Sequence, residues 1–221
     1  MIVNLSHMMS THQPSWPGAP GLNVRPVHQM AFGDIADTHV VEIYTHYGTH
    51  CDVPAHFIPG ARTLDDFLID DFIFKAPLLL ELTLGDDTLI QASDLEPHLK
   101  EIGEADLLLL RSGFERHRAE RIHYVDHGPG FSAAAAKLLR DHAPCLRGVA
   151  VDWLSICAIS HVDEGAEAHR ILLEDRGGKV VLIFEDVALS KVSGRLSQVW
   201  AVPIFIEGLD GFPCTIIAEV S

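Results

Sequence analysis

The chain has 221 residues, with 31 acidic side chains against 16 lysines and arginines, and a formal charge of −15 when its 14 histidines are neutral. An acidic excess of that size, with no basic run, argues against nucleic-acid backbones and anionic membranes as partners. No 18-residue apolar stretch is present to cross a bilayer. With 48% hydrophobic residues the chain can build one well-filled core, and a single domain spanning 1–221 is expected. The start, Met1–Leu5, lacks the pattern of a secretory signal. Cys51, Cys145, Cys157 and Cys214 are scattered, with no Cys-x-x-Cys pair, so a reduced, cytoplasmic protein is expected.

In chain order, residues 1–35 are rich in Pro, Gly and His and read as turns and irregular loop. Strands are expected over Val40–Tyr44, Pro77–Thr83, Leu107–Arg111, Gly148–Val151, Val180–Phe184, Val199–Ile206 and Thr215–Val220. Leu107–Leu110 and Val180–Ile183 are continuously apolar, as strands covered on both faces are. Ser93-Asp94-Leu95-Glu96 has the form of a capping box opening a helix that Gly103 would end. Ser132 and the four alanines after it start a second helix, ending before Pro144, and Asp163–Leu173 is a third. The fold class is mixed α/β, with more strand than helix. Arg111–Arg121 reads as a charged, solvated loop flanked by His117, His123 and His127.

The stretch that carries chemistry is Thr45-His46-Tyr47-Gly48-Thr49-His50-Cys51-Asp52-Val53-Pro54-Ala55-His56-Phe57. Gly48 and Pro54 oppose a helix here. The chain reads as a tight turn leaving in an extended segment, where His50 and Asp52 point to one side and Cys51 to the other. Gly48 lets His46 fold back to join them. Two imidazoles and a carboxylate suit Zn²⁺, with Mn²⁺ the alternative, and leave positions open for water. His56, four residues past Asp52, is placed to act as general acid and base. Three neighbouring histidines can also be a polar surface turn, but His46, His50, Asp52 and His56 together favour a metal site.

The string His46-x-Gly-Thr-His50-x-Asp52-x-Pro54-x-His56-Phe57 resembles the signature of the cyclase family of metal-dependent hydrolases, which includes bacterial kynurenine formamidase and isatin hydrolase. Weaker matches are Trp16-Pro17-Gly18, Leu110–Gly113, Asp152-Trp153-Leu154-Ser155, Ala168-His169-Arg170 and Phe184-Glu185-Asp186-Val187. The resemblance implies a swivelling β/β/α-type single domain, usually in a homodimer or larger assembly. It implies that His46, His50 and Asp52 bind a first metal ion, and that Asp52 bridges to a second held by His169 and Glu185 where two ions bind. It makes His56 the proton donor and acceptor and brings Trp16, from the loop-rich segment 1–35, to the substrate pocket. Read from the residues alone, His169 and Glu185 could equally be a helix histidine and a paired or exposed carboxylate.

The implied activity is hydrolysis of a small aryl-formamide, lactam or related cyclic amide, in the manner of an arylformamidase. Trp16 and Phe57 would shape the pocket for a flat ring. Ala19, Leu154 and the Ser160–Glu164 run depart from arylformamidase patterns, which leaves the substrate open within that class. Two rivals use the same cluster: a non-enzymatic metal-binding or ligand-sensing domain, and a polyketide-type cyclase or dehydratase.

Overall fold

A computed structural model describes every residue from Met1 to Ser221. Its first strands are β1 (Ile2–Asn4), β2 (Leu22–His28), β3 (Thr38–Ile43) and β4 (His50–Asp52). They are followed by β5 (Ile73–Phe74), β6 (Pro77–Glu81), β7 (Leu89–Ile90), β8 (Leu107–Arg111) and β9 (Gly130–Phe131). The last four are β10 (Gly148–Val151), β11 (Leu182–Glu185), β12 (Leu196–Pro203) and β13 (Gly211–Val220). The α-helices are α1 (Ala92–Leu95), α2 (Leu99–Glu104), α3 (Arg121–Asp126), α4 (Ala133–His142) and α5 (Val162–Leu173).

Nine strands form one sheet, ordered β5-β12-β13-β4-β11-β10-β8-β6, with β1 added beside β13. The half β11-β10-β8-β6 is parallel, whereas β4, β13, β12 and β5 pair antiparallel. Beyond its two ends the sheet curls until β12 touches β6, so it approaches a barrel. Strand β4 is the seam where the two halves meet.

Alternation along the strands divides the core in two. Leu108 and Leu110 of β8, Val149 and Val151 of β10, and Ile183 of β11 face the helices, where Ala135, Leu139, Ala168 and Leu172 cover them. Leu107, Leu109, Ala150, Leu182 and Phe184 face the other way, against Cys51, Val199 and Ile216. The leucine run is thus buried on both faces, as its lack of alternation implied.

Several boundaries differ from the sequence expectations, each for a local reason. The first helix is capped two residues early, with the Asp94 carboxylate accepting the Gln91 N–H at 2.8 Å, and Pro97 splits it into α1, a 3₁₀ turn and α2. Ser132 does cap α4, its hydroxyl accepting the Ala135 N–H at 3.1 Å. Strand β11 runs through Glu185 rather than stopping at Phe184, and β12 stops at Pro203, which cannot extend the ladder. Segment 1–35 contains β1 and β2; β2 pairs with β3 in a separate hairpin whose residues are almost all exposed, so no burial pattern marked it.

Candidate metal centre and cavity

Glycine at 48 is required by the turn before β4. It has φ +68, and a Cβ there would collide with the buried Gln13 side-chain amide. The chain can then enter β4 between β11 and β13, with His50 opposite Glu185, and Asp52 opposite Ile183 and Gly211. Period-2 alternation puts His50 and Asp52 on the helix-facing side and sends Cys51 into the opposite core. Glu185 shares the parity of Ile183 and faces the same side. Helix α5 lies across that face and lowers His169 onto the two carboxylates.

Both buried imidazoles are oriented by backbone carbonyls. His50 Nδ1 is 2.7 Å from Gly48 O, and His169 Nδ1 is 2.8 Å from Gly165 O. Each Nδ1 therefore carries the donated proton, and each Nε2 turns towards carboxylate, as metal-binding histidines are held. His50 Nε2 lies 3.2 Å from Asp52 Oδ1 and 3.4 Å from Glu185 Oε2. His169 Nε2 lies 3.4 Å from Glu185 Oε1 and 3.7 Å from Asp52 Oδ2. His50 Nε2 and Asp52 Oδ2 are buried with no hydrogen-bond partner. Orphaned polar atoms of this kind are costly unless something else satisfies them. Donors around a zinc ion with bonds of about 2.0–2.1 Å stand about 3.3–3.4 Å apart. The donor set fits a divalent cation.

His46 belongs to a second, overlapping cluster. Its Nδ1 is 2.7 Å from Asp52 Oδ1, and its Nε2 is 2.9 Å from Asp210 Oδ2. The same Asp210 oxygen is 3.1 Å from His56 Nδ1, and the His46 and His56 rings stack with centroids 3.8 Å apart. Here donor atoms converge in two triads, His50–Asp52–Glu185 and His46–Asp52–His56, with Asp52 common to both; a third, His117–Glu120–His123, is more exposed and shares no residue with them. Around the shared Asp52, His50 lies beside Glu185, and His46 beside His56.

The electrostatics are those of charge balanced by protons. Burial alone would lower the His46 pKa, but the Asp52 and Asp210 carboxylates outweigh it and push it up to about 10. Burial likewise opposes protonation of His169, and Asp52 and Glu185 raise it to about 9. His50 is raised against its burial by Asp52 and Glu185. Asp52, although fully buried, is held well below the usual carboxylate range by His50, His46 and His56.

A cavity of about 230 Å³ opens onto these groups. Trp16, Tyr44, Phe57, Leu154, Cys157, Val162 and Ala166 supply its apolar wall, and His46, His50, His56, His169 and Glu185 its polar floor. Phe57 stacks on His169 with centroids 4.2 Å apart, so it positions that imidazole as well as lining the cavity. The structure therefore brings His46, His50, Asp52, His56, His169, Glu185, Trp16 and Phe57 to one place.

Sequence reading missed Asp210, which stands just before β13 and offers no spacing signal to either histidine. It also gave Ser155 no role of its own. The Ser155 hydroxyl donates to Glu185 Oε1 at 2.9 Å, and the Ile156 N–H donates to the same oxygen at 2.8 Å. The Arg111–Arg121 loop is not uniformly solvated: Arg118 crosses to the buried Asp186.

Buried imidazole and carboxylate groups thus lie on a nearly closed mixed sheet, under one helix and beside an aromatic cavity, and their donor set fits a divalent cation. The chain belongs to the Cyclase family, whose model, described as "Putative cyclase", matches residues 3–157. It is similar to the kynurenine formamidase of Geobacillus thermodenitrificans, 24% identical over 221 residues, covering 96% of this chain and 93% of that protein. Its fold matches isatin hydrolase A from Labrenzia aggregata with a TM-score of 0.82 at 19% identity, covering 100% of this chain and 93% of that one. A solved structure described as a potential metal-dependent hydrolase with cyclase activity matches with a TM-score of 0.76 at 24% identity, over 99% and 96% of the two chains.

Proposed function

We propose that this chain is a divalent-metal-dependent hydrolase of small aryl-formamides, lactams or related cyclic amides. The supporting observation is the pair of imidazoles, His50 and His169, locked through Nδ1 by carbonyls, with Nε2 turned to Asp52 and Glu185. His46, His50, Asp52, His169 and Glu185 would hold one or two ions, with Asp52 shared and His56 left free for proton transfer. Zinc is the first choice for this nitrogen and oxygen set, and manganese the alternative. When bound, such an ion polarises a carbonyl and makes water a competent nucleophile near neutral pH.

The chain's own residues do the rest. Trp16, Phe57 and Tyr44 clamp a flat ring against the cavity wall and exclude water from its faces. The His56 Nδ1–H donates to Asp210 Oδ2 and leaves Nε2 as the working nitrogen. His56 Nε2 takes a proton from the attacking water and returns it to the departing nitrogen as the C–N bond breaks. An arylformamidase-like substrate is the leading specific reading. The four free cysteines suit a reducing, cytoplasmic setting. The exposed β2–β3 hairpin, with Val24, Met30, Phe32, Ile35 and Val41 in solvent, is the proposed contact between two copies of the chain.

The test combines elemental analysis of protein purified without chelator with a screen of aryl formamides and isatin-like lactams. Stoichiometric zinc or manganese together with metal-dependent hydrolysis supports the reading. Metal without any turnover on amides, lactams or lactones favours a binding or sensing domain, and a product that has not gained water favours a cyclase or dehydratase.

A further inference from the structure

The residue after Glu185 is one the proposed chemistry does not use. Asp186 is fully buried and adopts φ +52, in the left-handed region that L side chains rarely occupy. Glu185 turns its carboxylate towards His50 and His169, and Asp186 sends its own in another direction, into a cluster of donors. Arg118 grips it with two arms, Nε at 2.9 Å from Oδ1 and one terminal nitrogen at 2.7 Å from Oδ2. The Tyr124 hydroxyl donates to Oδ1 at 2.7 Å. Asp186 is pinned through its main chain too. Its N–H donates to Trp153 O at 2.9 Å, and its carbonyl accepts the Thr49 hydroxyl at 2.5 Å.

These contacts join three segments that build the site: β4, segment 153–155 and the loop that carries Trp16. Thr49 precedes His50 on β4. Trp153 lies two residues before Ser155, which holds Glu185. The other Arg118 contact is Gln13 Oε1 at 3.4 Å, and Gln13 belongs to the loop that carries Trp16 and packs against Gly48. An ion pair that buries its carboxylate completely and its guanidinium in part is a costly way to stabilise a fold, and an apolar pair would often do as well. What it supplies here is a fixed direction: a two-point planar fork sets the orientation of Asp186 and of its neighbour Glu185.

We infer that Arg118 and Asp186, with Tyr124, are positioning residues that fix the spacing between Glu185 and His50 and thereby set the affinity of the site for its metal ion. This rests on the metal-site reading above. Arg118 reaches Asp186 from a segment that supplies no ligand to this site, so its effect is transmitted through the backbone of Asp186.

The experiment measures the zinc dissociation constant of the full chain by competition with a chromogenic chelator, with the thermal midpoint of the metal-free protein as a control. Asp186→Asn, which keeps the shape and removes the charge, is expected to weaken zinc binding about 10- to 100-fold. Tyr124→Phe is expected to weaken it less, and Arg118→Lys to recover part of what Arg118→Met loses. Activity on the substrate found by the screen should return when zinc is raised to saturate the variant, because the ligands themselves are intact. Should Arg118→Met fail to fold, Asp186→Asn and Tyr124→Phe carry the measurement. Folded variants that bind zinc within twofold of the wild type overturn the positioning role and leave the hydrolase reading standing. A wild-type chain that takes up no zinc or manganese overturns both.

Discussion

Asp210 Oδ2 lies 3.1 Å from His56 Nδ1, joining a carboxylate and an imidazole 154 positions apart in the chain. The contact fixes which His56 nitrogen faces the cavity, since the one that donates to Asp210 cannot also carry the reaction's proton. The same oxygen takes His46 Nε2, so a single side chain orients both rings of a stacked pair. His56→Ala should retain its metal and lose about 10²- to 10⁴-fold in turnover. Asp210→Asn should lose about 10- to 100-fold by releasing the ring. Metal content and kcat measured on the same preparations check both; full hydrolysis by His56→Ala removes His56 from the mechanism.

Metal-free protein should be most stable in mildly acidic solution. His46 and His169 have folded pKa values raised to about 10 and about 9, above the ordinary histidine value of about 6.5. Their contribution is therefore complete below about 6.5 and is lost as pH rises through 9 and 10. Asp52 is depressed, so its contribution is present above the ordinary carboxylate value of about 4 and fades as pH falls below it. The melting temperature of the metal-free chain should peak between about pH 4 and 6.5. The loaded chain should instead gain as pH rises to 8, because a metal ion needs its imidazoles neutral. Zinc titration calorimetry near pH 7, in buffers of different ionisation enthalpy, should record proton release on binding. A flat pH profile for the metal-free chain would remove the protonated-cluster account.

Gly165→Ala should destabilise the protein, although alanine is the better helix former by about 1 kcal/mol. A Cβ at 165 would strike the backbone of Cys157, which cannot swing aside. Helix α5 would have to lift, at a cost of about 1–3 kcal/mol. The Gly165 carbonyl orients His169, so metal affinity should fall together with the melting temperature. A substitution that raises the melting temperature would show that the helix is free to move.

Replacing Phe32 with Asp together with Val41→Lys should yield a monomer with an unchanged catalytic cavity. Both side chains stand in solvent on or beside the β2–β3 hairpin, and an isolated two-stranded ribbon is at best marginal in water. Analytical ultracentrifugation of the wild type and the double variant reads the outcome directly. A wild type that sediments as a monomer removes the proposed contact.

The residues His46, His50, Asp52 and His56 could be picked out from the sequence because they fall within eleven positions, where backbone periodicity governs orientation. Strand alternation alone separated Cys51 from His50 and Asp52. The leucine strand β8 and the serine-capped α4 were legible for the same reason, since their signals span only a few residues. His169 and Glu185 needed the resemblance, because a helix histidine and a strand-end glutamate look ordinary until α5 crosses β11.

Asp210, Ser155 and the Arg118–Asp186 tie could not be read this way. Their meaning lies in contacts between distant segments, and a lone Asp, Ser or Arg in a loop carries no periodic or spacing signal. The amino-acid sequence by itself determined that the chain carries a compact imidazole–carboxylate motif, a two-faced apolar sheet and an acidic surface. Tertiary structure alone decided which donors share a cluster. It put β4 between β11 and β13, so that Asp52 faces His46 on one side and the His50–Glu185–His169 group on the other. The physical reason is range: backbone geometry fixes direction over a few residues, and only packing brings together groups that the chain keeps far apart.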